Sequence, residues 1–162
     1  MPRGSQIKST KKWRKNIILL GAIADDIAGA TDLCNILVGQ GTRTVQEIGV
    51  PGKNHPAHDE DAVVVALATR TGPAKSAVRQ SLAALRWLQG RGAKQILFKH
   101  RSTFSSTNRG NIGPVADALL DTMGEDFTVV CPAFPTAGRT LFQGHLFVGN
   151  LLPPNLSCAP IR

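Results

Sequence analysis

Residues 16–24 (NIILLGAIA) are apolar almost without interruption over strand length, the pattern of a strand covered on both faces in a parallel sheet. Directly after the acids Asp25 and Asp26 the period changes. Ile27, Ala30, Leu33, Cys34, Leu37 and Val38 recur at helical spacing, and Gly41 closes the pattern as a helix stop. The alternation then repeats. Thr42–Ile48 is β-prone, residues 51–61 form a polar loop containing Pro and Gly, and Ala62–Ala68 is a second buried-type strand. A helix is predicted over Pro73–Gly90, with Ala77, Val78, Leu82, Leu85 and Leu88 in register, followed by a strand over Gln95–Lys99, a helix over Ile112–Met123 and a strand over Phe127–Cys131. Strands alternating with helices of this length predict a layered α/β domain with a mainly parallel sheet flanked by helices. Residues 151–162 (LLPPNLSCAPIR) have no period and read as an irregular tail.

Composition adds limits. At 162 residues, 42% hydrophobic and 19% charged, the chain is the size of one folded domain. Its longest apolar runs fall short of the roughly 20 residues that span a bilayer, so no membrane segment is predicted. The net charge of +8 suggests nucleic acid at first sight. Yet Arg3, Lys8, Lys11, Lys12, Arg14 and Lys15 supply six positive charges with no acid among them, so the rest of the chain carries only +2. The excess is a tail rather than a binding face, and two Trp with no Tyr leave little aromatic surface to stack on bases. Cys34, Cys131 and Cys158 are widely spaced and odd in number. They read as buried or incidental thiols in a reducing compartment, and the cytoplasm is the expected location.

Three segments carry candidate chemistry. In ADDIAGATD, residues 24–32, Asp25 and Asp26 stand where the first strand ends and a helix begins. Ligands of open α/β sheets bind outside the carboxyl ends of strands, so Asp25 is placed to accept hydrogen bonds from ligand hydroxyls. Helix capping by Asp26, with Asp25 favouring the helix dipole, explains the same pair equally well. In FKHRSTFSSTNRGNIGPVADAL, residues 98–119, Lys99, Arg101 and Arg109 suit a carboxylate or phosphate, while hydroxyls and helix-start amides supply donors. A solvated turn built on Ser106, Thr107, Asn108 and Gly110 is the alternative. The loop lacks the glycine spacing and terminal Gly-Lys-Ser/Thr of a Walker loop. In CPAFPTAGRTLFQGHLFVG, residues 131–149, Arg139 and His145 are the notable polar groups, and His145 reads as a packed or surface histidine.

Taken in order from Ile18 to Gly149, these blocks, with RTVQEIGVP (43–51) and AVVVALATRT (62–71) between them, resemble the N-terminal sugar-binding domain of the four-carbon acid sugar kinase family, in its 3-oxo-tetronate kinase branch. The resemblance implies a division of labour. The N-terminal domain holds a four-carbon sugar acid, a C-terminal domain holds ATP with a divalent cation, and phosphoryl transfer takes place between them. It also implies that Asp25 and Asp26 line the sugar-acid pocket, with Arg70 on the loop after the second core strand. Lys99 supplies positive charge, and Arg109, Gly110 and Asn111 shape an anion-binding loop. No metal ligand is implied in this chain.

The corresponding organisation is a basic extension over residues 1–16, the sugar-acid-binding domain over 17–149 and an irregular tail over 150–162. The ATP-binding half is expected to lie outside this chain, either on a separate partner domain or lost through truncation. In the latter case the chain is an inactive sugar-acid-binding remnant. Departures from the family are Ala28 where threonine is usual, Ser105 where aspartate is usual, and His100-Arg101 in place of Tyr-Cys.

Overall fold

A computed structural model describes residues 18–52, 54–56, 59–101 and 110–152. The basic extension over residues 1–16, Ser105, Arg109 and most of the tail therefore lie outside the described residues.

Four parallel strands form the main sheet: β1 (Leu20–Ala24), β2 (Thr44–Ile48), β3 (Ala62–Ala66) and β4 (Gln95–Lys99), in the order β2-β3-β1-β4. All five residues of β3 are buried, and β1 is buried from Gly21 onward. Continuous apolar sequence was the expected signature of strands covered on both faces. Among the described residues three helices flank the sheet: α1 (Ile27–Gly39), α2 (Ala74–Gly90) and α3 (Ile112–Met123).

The two faces divide cleanly. On one, Ala22, Ala24, Val64 and Ala66 pack with Ala30, Leu33, Cys34 and Leu37 of α1. On the other, Ile23, Val63 and Val65 pack with Leu85 and Leu88 of α2 and with Val115 and Leu119 of α3. Gly21 faces this second layer closely: a Cβ there would lie 3.1 Å from Ala93 and Leu88, so the residue lets the α2 layer approach the central strand. The chain leaves α1 through Gln40 and then Gly41 at φ +83°, the left-handed geometry that suits glycine after a helix.

The strand predicted over Phe127–Cys131 is not formed. Phe127 and Val129 are 78% and 75% exposed, and the segment pairs with no strand among the described residues. Phe127 and Thr128 instead line an open groove of about 240 Å³ with Ile96 and Phe98 of β4 and Leu119, Leu120 and Met123 of α3. Strand propensity reflects packing against neighbours, and here the segment stands off the β4 edge rather than laddering to it. The following segment differs too. The sequence of residues 131–149, with two prolines and several glycines, predicts a loop after the Phe127–Cys131 strand, whereas Arg139–Phe142 (β5) and His145–Val148 (β6) form an antiparallel hairpin. Its turn residues Gln143 and Gly144 have φ +47° and +78°, the positive pair that matches a two-residue hairpin turn to strand twist.

Candidate functional site

From β1 the chain rises into α1 on one face of the sheet; from the adjacent β3 it rises into α2 on the other. Neighbouring parallel strands whose connections diverge in this way open a crevice at their carboxyl ends, the usual ligand position in such sheets. Asp25 and Asp26 stand at the end of β1 and Arg70 follows β3, so the fold brings together residues 44 apart in sequence.

Asp26 is the N-cap of α1, its extended backbone turning into the helix and its Oδ1 accepting from the Gly29 N–H at 2.6 Å. Its Oδ2 accepts from the Arg70 guanidinium at 2.6 Å. Burial works against the charged form, but the Gly29 N–H and Arg70 outweigh it and hold the Asp26 carboxyl below its ordinary range. The capping reading of Asp26 is thus correct as far as it goes, and the same carboxylate also holds the arginine.

Asp25 plays no part in the cap. It is 3% exposed, its main-chain carbonyl accepts from the N–H groups of Thr69 and Arg70, and its carboxylate accepts from the Arg101 backbone N–H. Its Oδ2 has no hydrogen-bond partner among the described residues. Burial, reinforced by the neighbouring Asp26 charge, raises its pKa against the opposing pull of Arg101 and Arg70. A buried carboxylate oxygen without a donor is costly and is suited to receive one from a ligand.

Lys99 and Arg101 complete the positive lining. Lys99 Nζ donates to the His100 carbonyl at 3.0 Å and acts electrostatically on Asp26. Arg101 donates from its guanidinium to the Arg70 carbonyl at 2.8 Å. Three cations, Arg70, Lys99 and Arg101, thus surround two carboxylates, an excess that favours an anionic ligand. The space between them is close-built: a Cβ on Gly29 would lie 2.8 Å from Asp26 Oδ1 and 3.3 Å from Lys99 Nζ.

Asn111, buried ahead of α3, donates its side-chain amide to the carbonyls of Thr69 at 2.6 Å and Gly72 at 3.2 Å. Gly110 lies beside it. Asp25, Asp26, Arg70, Lys99 and Asn111 are therefore all tied to one edge of the sheet, whereas His145 is exposed on the hairpin with its Nδ1 against the Gln143 carbonyl. The sequence grouped Arg101 with Lys99 and Arg109 as a cation for an anionic ligand, but did not show its contact with the Arg70 turn. Its position two residues past the end of β4, on the strand adjacent to β1, was the available signal. His100, whose pKa is lowered chiefly by burial, packs edge-on to Phe98 and was noted only as a departure.

No group of three or more His, Cys, Asp or Glu among the described residues is arranged to hold a metal ion. No helix of the described residues is long and apolar enough to cross a membrane.

Comparison with known proteins bears on this geometry. The family described as "Sugar-binding N-terminal domain" matches residues 20–158. The 3-oxo-tetronate kinase of Burkholderia multivorans is 62% identical over 134 residues, which are 83% of this chain and 31% of that protein. A Salmonella typhimurium crystal structure superposes with a TM-score of 0.81 at 51% identity, over 84% of this chain and 33% of the other. A Bordetella bronchiseptica protein, solved with bound citrate as a domain-swapped dimer, gives a TM-score of 0.68 at 32% identity, over 82% of this chain and 33% of that one. The chain spans about a third of the length of the curated relatives it matches.

Proposed function

We propose that this chain, which belongs to the sugar-binding N-terminal domain family, is the substrate-holding half of an ATP-dependent kinase for a four-carbon sugar acid such as 3-oxo-tetronate, working in the cytoplasm. The observation that carries the reading is the crevice itself: the Oδ2 of buried Asp25, without a hydrogen-bond partner among the described residues, beside the Asp26–Arg70 ion pair. A sugar acid offers matching chemistry at two ends. Its carboxylate meets Arg70 and Lys99, and a hydroxyl donates to Asp25; the family resemblance adds Arg109 and Gly110 as residues that shape the anion-binding loop. The names of the relatives support this substrate class. So does citrate, a hydroxylated carboxylate, bound to the Bordetella protein.

In this reading the binding unit is residues 17–149, flanked by the basic extension 1–16 and the tail 150–162. The sequence has no Walker-type glycine loop. ATP and its divalent cation are assigned to a separate ATP-binding domain. What this chain contributes to phosphoryl transfer is position, since holding an acceptor in line with a donor is a large part of that catalysis.

Calorimetric titration tests the proposal. A four-carbon sugar acid should bind the wild-type chain and fail to bind Asp25→Ala, and the corresponding polyol without a carboxylate should bind neither. ATP should not be consumed when the acid and nucleotide are mixed with this chain alone. Equal binding of acid and polyol would remove the sugar-acid reading.

A further inference from the structure

We propose that Asn111 is a positioning residue for this site, setting the turn that carries Arg70 and hence the place at which the Arg70 guanidinium meets a ligand carboxylate. The proposal deepens the functional reading above and rests on it. Asn111 occupies the N-cap of α3, where an asparagine side chain ordinarily accepts from the N–H of the second or third helical residue. Here it makes no cap bond. It is 5% exposed and reaches back 42 and 39 residues to the carbonyls of Thr69 and Gly72. Both partners are acceptors, so the NH₂ end of the amide must face them.

These two carbonyls bracket Arg70. The turn they belong to is closed by the Gly72 N–H on the Thr69 carbonyl. It is anchored from below by the Thr69 and Arg70 N–H groups on the Asp25 carbonyl, and from the side by Arg101 on the Arg70 carbonyl. A turn fixed at three carbonyls by two side chains leaves Arg70 little freedom beyond its own rotamers, and its guanidinium is held in turn by Asp26. Such preorganisation spares the ordering cost on binding. Asn111 also begins the helix that follows the loop after β4, so it joins the connections after β3 and β4 into one unit.

Asn111→Asp is the discriminating substitution. It keeps the volume and can cap α3, but an ionised carboxylate donates no hydrogen bond to Thr69 or Gly72. Titration of a four-carbon sugar acid should show about tenfold weaker binding to Asn111→Asp, equivalent to about 1.4 kcal/mol, whereas in an Arg70→Ala background the same change should matter less than twofold. That non-additivity is what a role through Arg70 requires. A second measurement needs no ligand: the Arg70 Nε–Hε NMR resonance should shift and broaden in Asn111→Asp while circular dichroism confirms the fold. An equal loss with and without Arg70, or an unperturbed Arg70 resonance, would overturn the proposal. Arg70→Ala that leaves acid binding unchanged would instead count against the site reading, and the Arg70 resonance would then decide the role of Asn111 alone.

Discussion

Asp26 Oδ2 lies 2.6 Å from the Arg70 guanidinium, joining the loop after β1 to the loop after β3 across the mouth of the sheet, while the other Asp26 oxygen caps α1. One carboxylate thus fixes both the start of a helix and the cation most directly placed for a ligand anion.

The two roles separate by substitution. Asp26→Asn keeps an acceptor for the Gly29 N–H and loses the charge, so urea denaturation should show a loss below about 1 kcal/mol, the range of partly exposed ion pairs. Asp26→Ala removes the cap as well and should cost about 1–2 kcal/mol. Equal losses would mean that the cap contributes nothing.

Gly29→Ala should destabilise the chain. In an open helix position alanine is favoured over glycine by about 1 kcal/mol, but here its Cβ would press on Asp26 Oδ1. The predicted thermal midpoint is below wild type, with weaker binding of a sugar acid. A midpoint above wild type would contradict the close packing at the α1 start.

Asp25→Asn should stabilise the fold while abolishing ligand binding, because it removes a buried charge that its surroundings disfavour. The sign fixes the pH dependence. A raised folded-state pKa means that the favourable contribution is fully present below the unfolded value, near 3.9, and is lost as pH rises through the folded value. The advantage of Asp25→Asn over wild type should accordingly be present at pH 7 and vanish below about pH 4. Asp26 acts oppositely: its lowered pKa gives stability above about pH 4 that is lost as pH falls through the folded value. Thermal scans of both Asn variants against pH check the two signs.

Val129→Thr, in the exposed segment beside β4, should change stability by less than about 0.5 kcal/mol, whereas Leu85→Ala in the core should cost about 2–5 kcal/mol. Denaturation curves of the two variants test whether residues 127–131 stand outside the sheet.

The sheet was legible because its strands announce themselves. Gln95–Lys99 and Ile112–Met123 form over the predicted residues, and Ala62–Ala66 is buried on both faces as its unbroken apolar run required. The run Phe127–Cys131 looked equally strand-like and misled, because apolar and β-branched residues specify a strand only where a partner edge accepts them. At the site, Asp25 and Asp26 were visible as acids at a strand end, but nothing local separates a capping acid from a buried one with a vacant oxygen. That distinction comes from Arg70 and Arg101, which approach from loops far along the chain. Asn111 was legible as a helix start, whereas its reach to the Arg70 turn depends on tertiary placement.

A crystal structure of the chain with a four-carbon sugar acid bound tests the central claim most directly. The account predicts the ligand carboxylate within hydrogen-bonding distance of Arg70 or Lys99, and a ligand hydroxyl about 2.6–3.2 Å from Asp25 Oδ2. A sugar acid bound away from the ends of β1 and β3, with Asp25 Oδ2 still lacking a donor, would contradict it.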